Sequence, residues 1–276
     1  MIISRTPFRV SLFGGGTDYP AWYRDNGGSV IGMTIDKYCY LSVRYLPPFF
    51  KHKHRIVWSS IELVDNIDEI EHPAVRAILK EKEFNTGLEI AYNADLPARS
   101  GLGTSSSFSV GLINALNALK GRMSSKKELA DEAIRIEQDV MLESVGSQDQ
   151  VWAAHGGFNR IGFNSDGSYE VSPLLMPNKQ RKELLGSFML FFTGFSRLSG
   201  ELAERQIANF KNKNKELNLI NDFTNNAGRI LQENAGVVTN LGHLMHEGWQ
   251  IKRELAEGVS TPEIDEIYNA GIEAGA

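Results

Sequence analysis

The spacing of apolar residues changes along the chain from a mixture of strand and helix periods to an almost purely helical period. Apolar and polar residues alternate over residues 2–13, which predicts a strand that ends at three consecutive glycines. Residues 29–45 are rich in β-branched and aromatic residues and end before Pro47 and Pro48, which predicts a second strand. Further strands are predicted at residues 55–59, 86–95, 158–163 and 187–193, with a hairpin turn at residues 164–167.

Helical spacing predicts helices at residues 74–83, 108–119, 126–143, 198–212, 217–233, 235–248 and 262–274. Ser125 and Glu128 stand where a capping box at the start of the 126–143 helix requires them. From residue 198 onward, every predicted element is a helix. The change falls near residues 177–185, which predicts an α+β chain with a domain boundary there and two domains, residues 1–178 and 179–276.

Composition narrows the classes of protein to consider. The 276 residues are 42% hydrophobic, which is enough for a sizeable core. A formal net charge of −5 argues against a protein that binds nucleic acid through a basic face. Cys39 is the single cysteine, so an intramolecular disulfide and a cysteine-based zinc site are excluded. No signal-peptide core follows Met1 and no apolar run reaches transmembrane length, which predicts a cytoplasmic protein without a membrane partner.

A glycine-rich loop between a predicted strand and a predicted helix carries the strongest chemical signal. It reads Pro97-Ala-Arg-Ser-Gly-Leu-Gly-Thr-Ser-Ser106. Unpaired backbone N–H groups and the helix dipole both attract an anion to such a helix N-terminus, and the phosphates of a nucleoside triphosphate are the anion we expect. No Gly-Lys-Ser/Thr sequence follows the loop, so it is not the phosphate loop of a P-loop NTPase.

A second motif lies at the end of the first predicted strand. Arg9 shares the strand face of Arg5 and Phe13, and Asp18 follows the glycines at residues 14–16. Glycines let a ligand approach the backbone closely, and Asp18 could accept hydrogen bonds from sugar hydroxyls; a simple turn explains the same residues. A dinucleotide-binding site is excluded, because no Gly-x-Gly-x-x-Gly sequence opens a helix there.

Together these motifs resemble those of the GHMP kinases, the superfamily of galactokinase, homoserine kinase, mevalonate kinase and phosphomevalonate kinase. Residues 97–106 closely match its Pro-x-x-x-Gly-Leu-Gly-Ser-Ser phosphate motif, with Thr104 in the place of the first serine. The segment from Arg5 to Pro20 resembles the sugar 1-kinase branch that phosphorylates D-glycero-D-manno-heptose 7-phosphate, with fucokinase-like domains nearby. The resemblance implies an N-terminal ATP-binding domain with the fold of ribosomal protein S5 domain 2, followed by a ferredoxin-like C-terminal domain.

The resemblance also implies roles for individual residues, with ATP and Mg²⁺ as cofactors. The residues implied to bind the nucleotide are Pro97, Ser100, Gly101, Leu102, Gly103, Thr104, Ser105 and Ser106. Ser105 and Glu137 are implied to hold the cation, since Mg²⁺ takes oxygen ligands and few of them from protein. The residues implied to contact the sugar phosphate are Arg9, Gly15, Gly16, Thr17, Asp18, Asp149 and Arg197.

Asp149 and Arg9 are the implied catalytic residues. Asp149 would take the proton of the acceptor hydroxyl or only orient its oxygen, and a helix N-terminal cap explains an aspartate at this position equally well locally. Arg9 would place a fixed positive charge near the anomeric oxygen. Arg197 would contact the distal phosphate of the substrate.

One departure from the family concerns its third glycine-rich motif. The sequence ends at Gly271-Ile-Glu-Ala-Gly-Ala276, before such a loop, so we expect an incomplete C-terminal domain. An unpaired sheet edge and exposed apolar surface would follow, which favours either a homodimer or poor solubility. Three functions stay open: a heptose 7-phosphate 1-kinase supplying nucleotide-activated heptose, a fucose-like or other hexose 1-kinase, and a non-catalytic sugar or nucleotide binder.

Overall fold

The computed structural model describes residues 1–191, 193, 199–233 and 235–276, which form seven strands and ten α-helices. The strands are β1 (Ile2–Phe13), β2 (Gly28–Tyr45), β3 (His54–Val57), β4 (Ile61–Val64), β5 (Leu88–Ala94), β6 (Phe158–Phe163) and β7 (Tyr169–Pro173). The helices are α1 (Pro20–Asn26), α2 (Pro73–Glu81), α3 (Thr104–Leu119), α4 (Lys126–Arg135), α5 (Gln148–His155), α6 (Asn178–Gly186), α7 (Ser199–Asn209), α8 (Asn214–Ile230), α9 (Val237–Lys252) and α10 (Pro262–Glu273). The predicted α+β class is confirmed.

The chain divides into two compact units. The first comprises Met1–Val10 and Thr34–Gly157, and the second comprises Ser11–Met33 and Phe158–Ala276. Strands β1 and β2 therefore contribute residues to both units. The predicted division at residue 178 is a different one and stays a prediction.

The first unit is built on strands in the order β4-β3-β5-β2. Strand β5 runs antiparallel to β2, with Ile90 opposite Val43, and parallel to β3, with Ile90 opposite Ile56. Because a parallel pair needs a crossover, the chain between β3 and β5 is long enough to include β4 and α2. The strands and helices α2 and α3 bury one apolar cluster, in which Cys39 is fully buried. Burial raises the pKa of Cys39 to about 12, as expected of a structural thiol.

Helix α3 lies almost entirely within this core. Leu112, Ile113 and Leu116 are fully buried, and so are the polar side chains of Ser107 and Ser109. The helix begins at Thr104, four residues before the predicted start at residue 108. The hydroxyl residues 104–107 therefore form the first turn of α3. The N–H of Ser107 donates to the carbonyl of Gly103 over 2.9 Å, so it is the N–H groups before residue 107 that lack helical partners.

In the second unit, β6 pairs antiparallel with residues 28–33 of β2, and β7 pairs antiparallel with β6. The predicted hairpin turn at residues 164–167 is confirmed, with Gly167 at φ +89°. Two apolar clusters form here, one around Phe13 and Leu241 and one around Trp22 and Leu217.

Two predictions about the elements are wrong. Residues 187–191 and 193 do not form the predicted buried strand; Met189, Leu190 and Phe191 are 77%, 65% and 64% exposed. A continuous apolar run has no period, so it does not specify a strand or a buried face. The predicted 126–143 helix has the expected capping box at Ser125, but α4 ends at Arg135 and a π-helical turn, Ile136–Val140, follows. The short elements α1, β4, α5 and α6 were not predicted.

Candidate active site

The glycine-rich loop turns the chain sharply between β5 and α3. Arg99, Gly101 and Gly103 have φ values of +62°, +77° and +71°. A Cβ atom at Gly103 would lie 3.1 Å from Cγ of Arg9 and 3.3 Å from Oδ2 of Asp149. At Gly101, a Cβ atom would meet nothing within 4 Å. Position 103 therefore requires glycine for two reasons, its left-handed backbone and the lack of room for a side chain. Gly101, by contrast, lies beside open space.

Arg9 ties this loop to Asp149. Its guanidinium donates from Nε to Oδ1 and from Nη2 to Oδ2 of Asp149, each over 2.6 Å, and from Nη1 to the carbonyl of Gly101 over 2.6 Å. The backbone N–H of Arg9 also donates to the carbonyl of Leu102 over 3.0 Å. A bidentate pair of this kind fixes both side chains in orientation.

Asp149 is held in a position where it remains accessible. Its side chain is 25% exposed, and that of Arg9 is 14% exposed. Asp149 lies in the first turn of α5 but does not cap it, because Ser147 is the N-cap residue. Each carboxylate oxygen accepts two hydrogen bonds, so Asp149 can accept a further donor while bound to Arg9.

Glu137 occupies the π-helical turn and is 1% exposed. Its Oε2 accepts hydrogen bonds from Oγ of Ser106 over 2.9 Å and from Nε2 of Gln150 over 2.5 Å. No hydrogen bond reaches its buried Oε1, although the Ser109 hydroxyl lies near enough to this carboxyl to lower its pKa. Burial is the largest influence on this carboxyl and raises the pKa of Glu137 to about 7, against the lowering effect of its hydrogen bonds.

The roles of Ser105 and Glu137 as cation ligands stay predictions. Ser106, rather than Ser105, hydrogen-bonds to Glu137, and Ser105 is exposed in the first turn of α3. Within the described ranges, no three His, Cys, Asp or Glu side chains form a cluster that could hold a metal ion. Mg²⁺ bound with a nucleotide needs only one or two protein oxygens, and the unpartnered Oε1 of Glu137 is such an oxygen. These residues therefore fit a cation whose other ligands come from phosphates.

The other predicted nucleotide-binding residues lie along the same loop. Pro97 is exposed, Ser100 and Thr104 are half-buried, and Leu102 packs against the apolar core. The loop therefore keeps one side in the core and leaves its backbone near Gly101 exposed.

The segment predicted to contact sugar hydroxyls is a closed turn. Oγ1 of Thr17 lies 2.9 Å and 3.0 Å from the carbonyls of Gly14 and Ser29, and it accepts a hydrogen bond from the N–H of Ser29 over 3.2 Å. Asp18 accepts a hydrogen bond from the N–H of Gly16 over 3.0 Å and is 1% exposed. Gly15 and Gly16 are buried as well. The sugar-binding role of these residues stays a prediction, and Arg197 lies outside the described residues.

Known proteins resemble this chain both in sequence, over the part that carries the glycine-rich loop, and in fold. The sequence pattern of the GHMP kinases N terminal domain matches residues 68–157, a range that includes the glycine-rich loop, Glu137 and Asp149. The crystal structure of a D-glycero-D-manno-heptose 1-phosphate kinase from Bacteroides thetaiotaomicron superposes with a TM-score of 0.77, at 24% identity, over 92% of this chain and 80% of that one. The chain therefore contains a segment, residues 68–157, that matches the N-terminal domain of the GHMP kinases. Its fold is the GHMP kinase fold.

Two curated relatives are similar to this chain over nearly its whole length. The D-glycero-alpha-D-manno-heptose 7-phosphate kinase of Campylobacter jejuni is 26% identical over 100% of the chain and 84% of its own length. The L-fucokinase/L-fucose-1-P guanylyltransferase of Bacteroides fragilis is 25% identical over 98% of the chain, which spans only 32% of that longer protein.

Sequence reasoning missed two features of the site. Gln150 was not singled out, although it follows Asp149 directly, and nothing in the sequence indicates that its side chain reaches Glu137. The π-helical turn was missed because its residues continue the helical spacing of α4.

Along the described chain, no helix is both long and apolar enough to cross a membrane.

Proposed function

We propose that this chain transfers the γ-phosphoryl group of ATP to the anomeric hydroxyl of a sugar phosphate, with D-glycero-D-manno-heptose 7-phosphate as the acceptor. The product would supply nucleotide-activated heptose. The observation that carries the proposal is the Arg9–Asp149 pair, whose guanidinium also binds the carbonyl of Gly101. It fixes an accessible carboxylate against a loop suited to phosphate.

The nucleotide phosphates would bind the backbone N–H groups of residues 101–106. The first N–H groups of α3 lack carbonyl partners within the helix, and its dipole favours negative charge at this end. The exposed backbone at Gly101 and the exposed hydroxyl of Ser105 support this placement.

Asp149 would act on the acceptor. The anomeric oxygen attacks the γ-phosphorus, the bond to the ADP oxygen breaks, and the hydroxyl proton passes to the Asp149 carboxylate and then to solvent. The carboxylate is already held by Arg9, so no rearrangement is needed before it accepts this proton. The positive charge of Arg9 would favour the developing negative charge on the attacking oxygen.

Mg²⁺, when bound, would neutralise charge on the phosphates, and the residues that would hold it are Glu137 and Ser105. The buried, unpartnered Oε1 of Glu137 supports this role. Gly15, Gly16, Thr17, Asp18 and Arg197 stay candidates for contacting the sugar phosphate.

A hexose 1-kinase is the second candidate. The similarity to a fucokinase over 98% of the chain supports it. The two candidates differ in the acceptor, because a hexose such as L-fucose carries no distal phosphate.

A coupled assay of ADP release distinguishes them. We expect release with heptose 7-phosphate, and little with fucose, mannose or galactose, at equal concentrations. Release with fucose alone would establish the second candidate. The Asp149→Asn variant is the control, and with each sugar it should release ADP at least about 100-fold more slowly than the wild type. Wild-type protein that releases no ADP with any of the four sugars would overturn both candidates.

A further inference from the structure

Gln150 is a buried polar residue to which neither the family roles nor the proposed chemistry gives a function. Its side chain is 0% exposed. Nε2 donates a 2.5 Å hydrogen bond to Oε2 of Glu137, and Oε1 is buried without a partner. Burying an amide whose oxygen stays unpaired costs stability. A residue kept at that cost is expected to have a function, and the only hydrogen bond that the structure records for this side chain within the described residues is the one to Glu137.

The position of Gln150 on α5 links two parts of the site. Consecutive helical residues point about 100° apart, so Asp149 and Gln150 reach different partners from the same turn. Asp149 binds Arg9, whose guanidinium binds the carbonyl of Gly101. Gln150 binds Glu137. The first turn of α5 therefore sets the positions of both carboxylates that the proposed function uses.

The hydrogen bonds to Glu137 are unequally shared between its oxygens. Gln150 and Ser106 both donate to Oε2, whereas no hydrogen bond reaches the buried Oε1, near which only the uncharged Ser109 hydroxyl acts on the carboxyl. Both donors are uncharged, so they fix the rotation of the carboxylate without neutralising it. A lysine or arginine in the place of Gln150 would remove the charge that a divalent cation needs.

We propose that Gln150 is a positioning residue that holds Oε2 of Glu137 and so reserves Oε1 for a divalent cation bound with the nucleotide. It also keeps this carboxylate in register with Asp149, because both depend on the first turn of α5. The inference rests on the proposed function, of which it specifies the cation site.

The test compares Gln150→Leu with Gln148→Leu. Leucine has nearly the volume of glutamine and no donor. Gln148 is a buried glutamine on the same helix, and the structure records no hydrogen bond between it and Glu137. Binding of Mn²⁺ is measured by electron paramagnetic resonance of the free ion, in the presence of a non-hydrolysable ATP analogue. The Mg²⁺ concentration for half-maximal activity is measured in parallel.

We expect Gln150→Leu to weaken Mn²⁺ binding about 10–100-fold, the usual effect of losing a partner of a metal ligand. The half-saturating Mg²⁺ concentration should rise by a similar factor, while the KM for the sugar and the far-ultraviolet circular dichroism stay at wild-type values. Gln148→Leu should bind Mn²⁺ as the wild type does. If Gln150→Leu does not fold, Gln150→Met replaces it, because the unbranched thioether adapts to the same space.

A folded Gln150 variant that loses activity but binds Mn²⁺ like the wild type would overturn the inference. Equal weakening in both variants would overturn it as well, since any buried glutamine of α5 would then matter equally. Wild-type protein that binds Mn²⁺ and the analogue but phosphorylates no sugar would refute the proposed function and leave the inference standing. Wild-type protein that binds neither would refute both.

Discussion

Residues 14–16 and residues 101–103 are both glycine-rich segments, one at the end of a strand and one before a helix, yet Gly14 and Gly101 have opposite surroundings. A Cβ atom on Gly14 would lie 2.0 Å from the carbonyl oxygen of Ser29, whereas a Cβ atom on Gly101 would meet nothing within 4 Å. The first segment needs glycine because backbone packs against it. The second uses Gly101 to turn the chain with its backbone exposed, and only Gly103 in it is buried against other residues.

The side chains after each segment follow the same contrast. Thr17 and Asp18 are 0% and 1% exposed and bond to their own turn, while Ser105 is exposed. Glycines and hydroxyls in sequence therefore indicate a tight backbone. Whether a ligand can reach that backbone depends on neighbours that are distant in sequence.

The largest effect is expected at Asp149, which Arg9 ties to the glycine-rich loop. Asn in place of Asp149 keeps the shape and can still accept a hydrogen bond from Arg9, but it cannot take a proton. We expect kcat to fall about 10²–10⁴-fold, with the nucleotide affinity and the melting temperature near wild type. Steady-state kinetics with heptose 7-phosphate checks this, and wild-type turnover would remove Asp149 from the reaction.

The two glycines should differ in their effect on stability. Gly14→Ala forces backbone atoms apart in a buried turn, so we expect the free energy of unfolding to fall by at least about 3 kcal/mol. The methyl group added by Gly101→Ala meets no other atom, so only the positive φ of residue 101 lowers the free energy of unfolding, by about 1–2 kcal/mol. Urea denaturation of the two variants measures the difference. Equal losses would show that the surroundings of the two glycines do not matter.

Glu137 gives the loop region a pH dependence of its own. Its folded pKa of about 7 lies above the ordinary value of 4.5, so the folded state holds the proton more tightly than the unfolded state does. The free energy of unfolding should therefore fall as pH rises from about 4.5 to 7, by about 2–3 kcal/mol from this group. Glu137→Gln should lack this fall and be more stable than wild type at pH 8. Parallel unfolding curves of the two proteins across pH 4–8 would contradict the assignment.

The smallest effect is expected at the closed turn. Thr17→Val keeps the shape but removes the hydroxyl that bonds to Gly14 and Ser29, at a cost of about 1–2 kcal/mol. Thr17→Ser retains the hydroxyl and serves as the control. Thermal unfolding of the three proteins measures the cost, and a Thr17→Val protein as stable as Thr17→Ser would show that these bonds contribute nothing.

Local patterns predicted much of the fold and part of the site. Strands β1, β2 and β6 and the cap of α4 follow from alternation, β-branched residues and the Ser125–Glu128 spacing, all of which act over a few residues. The loop was identified because β5, the glycines and α3 are contiguous. The contact of Arg9 with Asp149 spans 140 positions in sequence, and that of Gln150 with Glu137 depends on a π-helical turn. Neither leaves a local signal.

In the proposed function, the backbone N–H groups of the glycine-rich loop bind the nucleotide. Hydrogen–deuterium exchange with and without Mg²⁺ and a non-hydrolysable ATP analogue tests it directly. We predict slower exchange in peptides covering residues 97–107 and unchanged exchange in peptides covering residues 11–18. Unchanged exchange across residues 97–107 at saturating analogue would contradict the account.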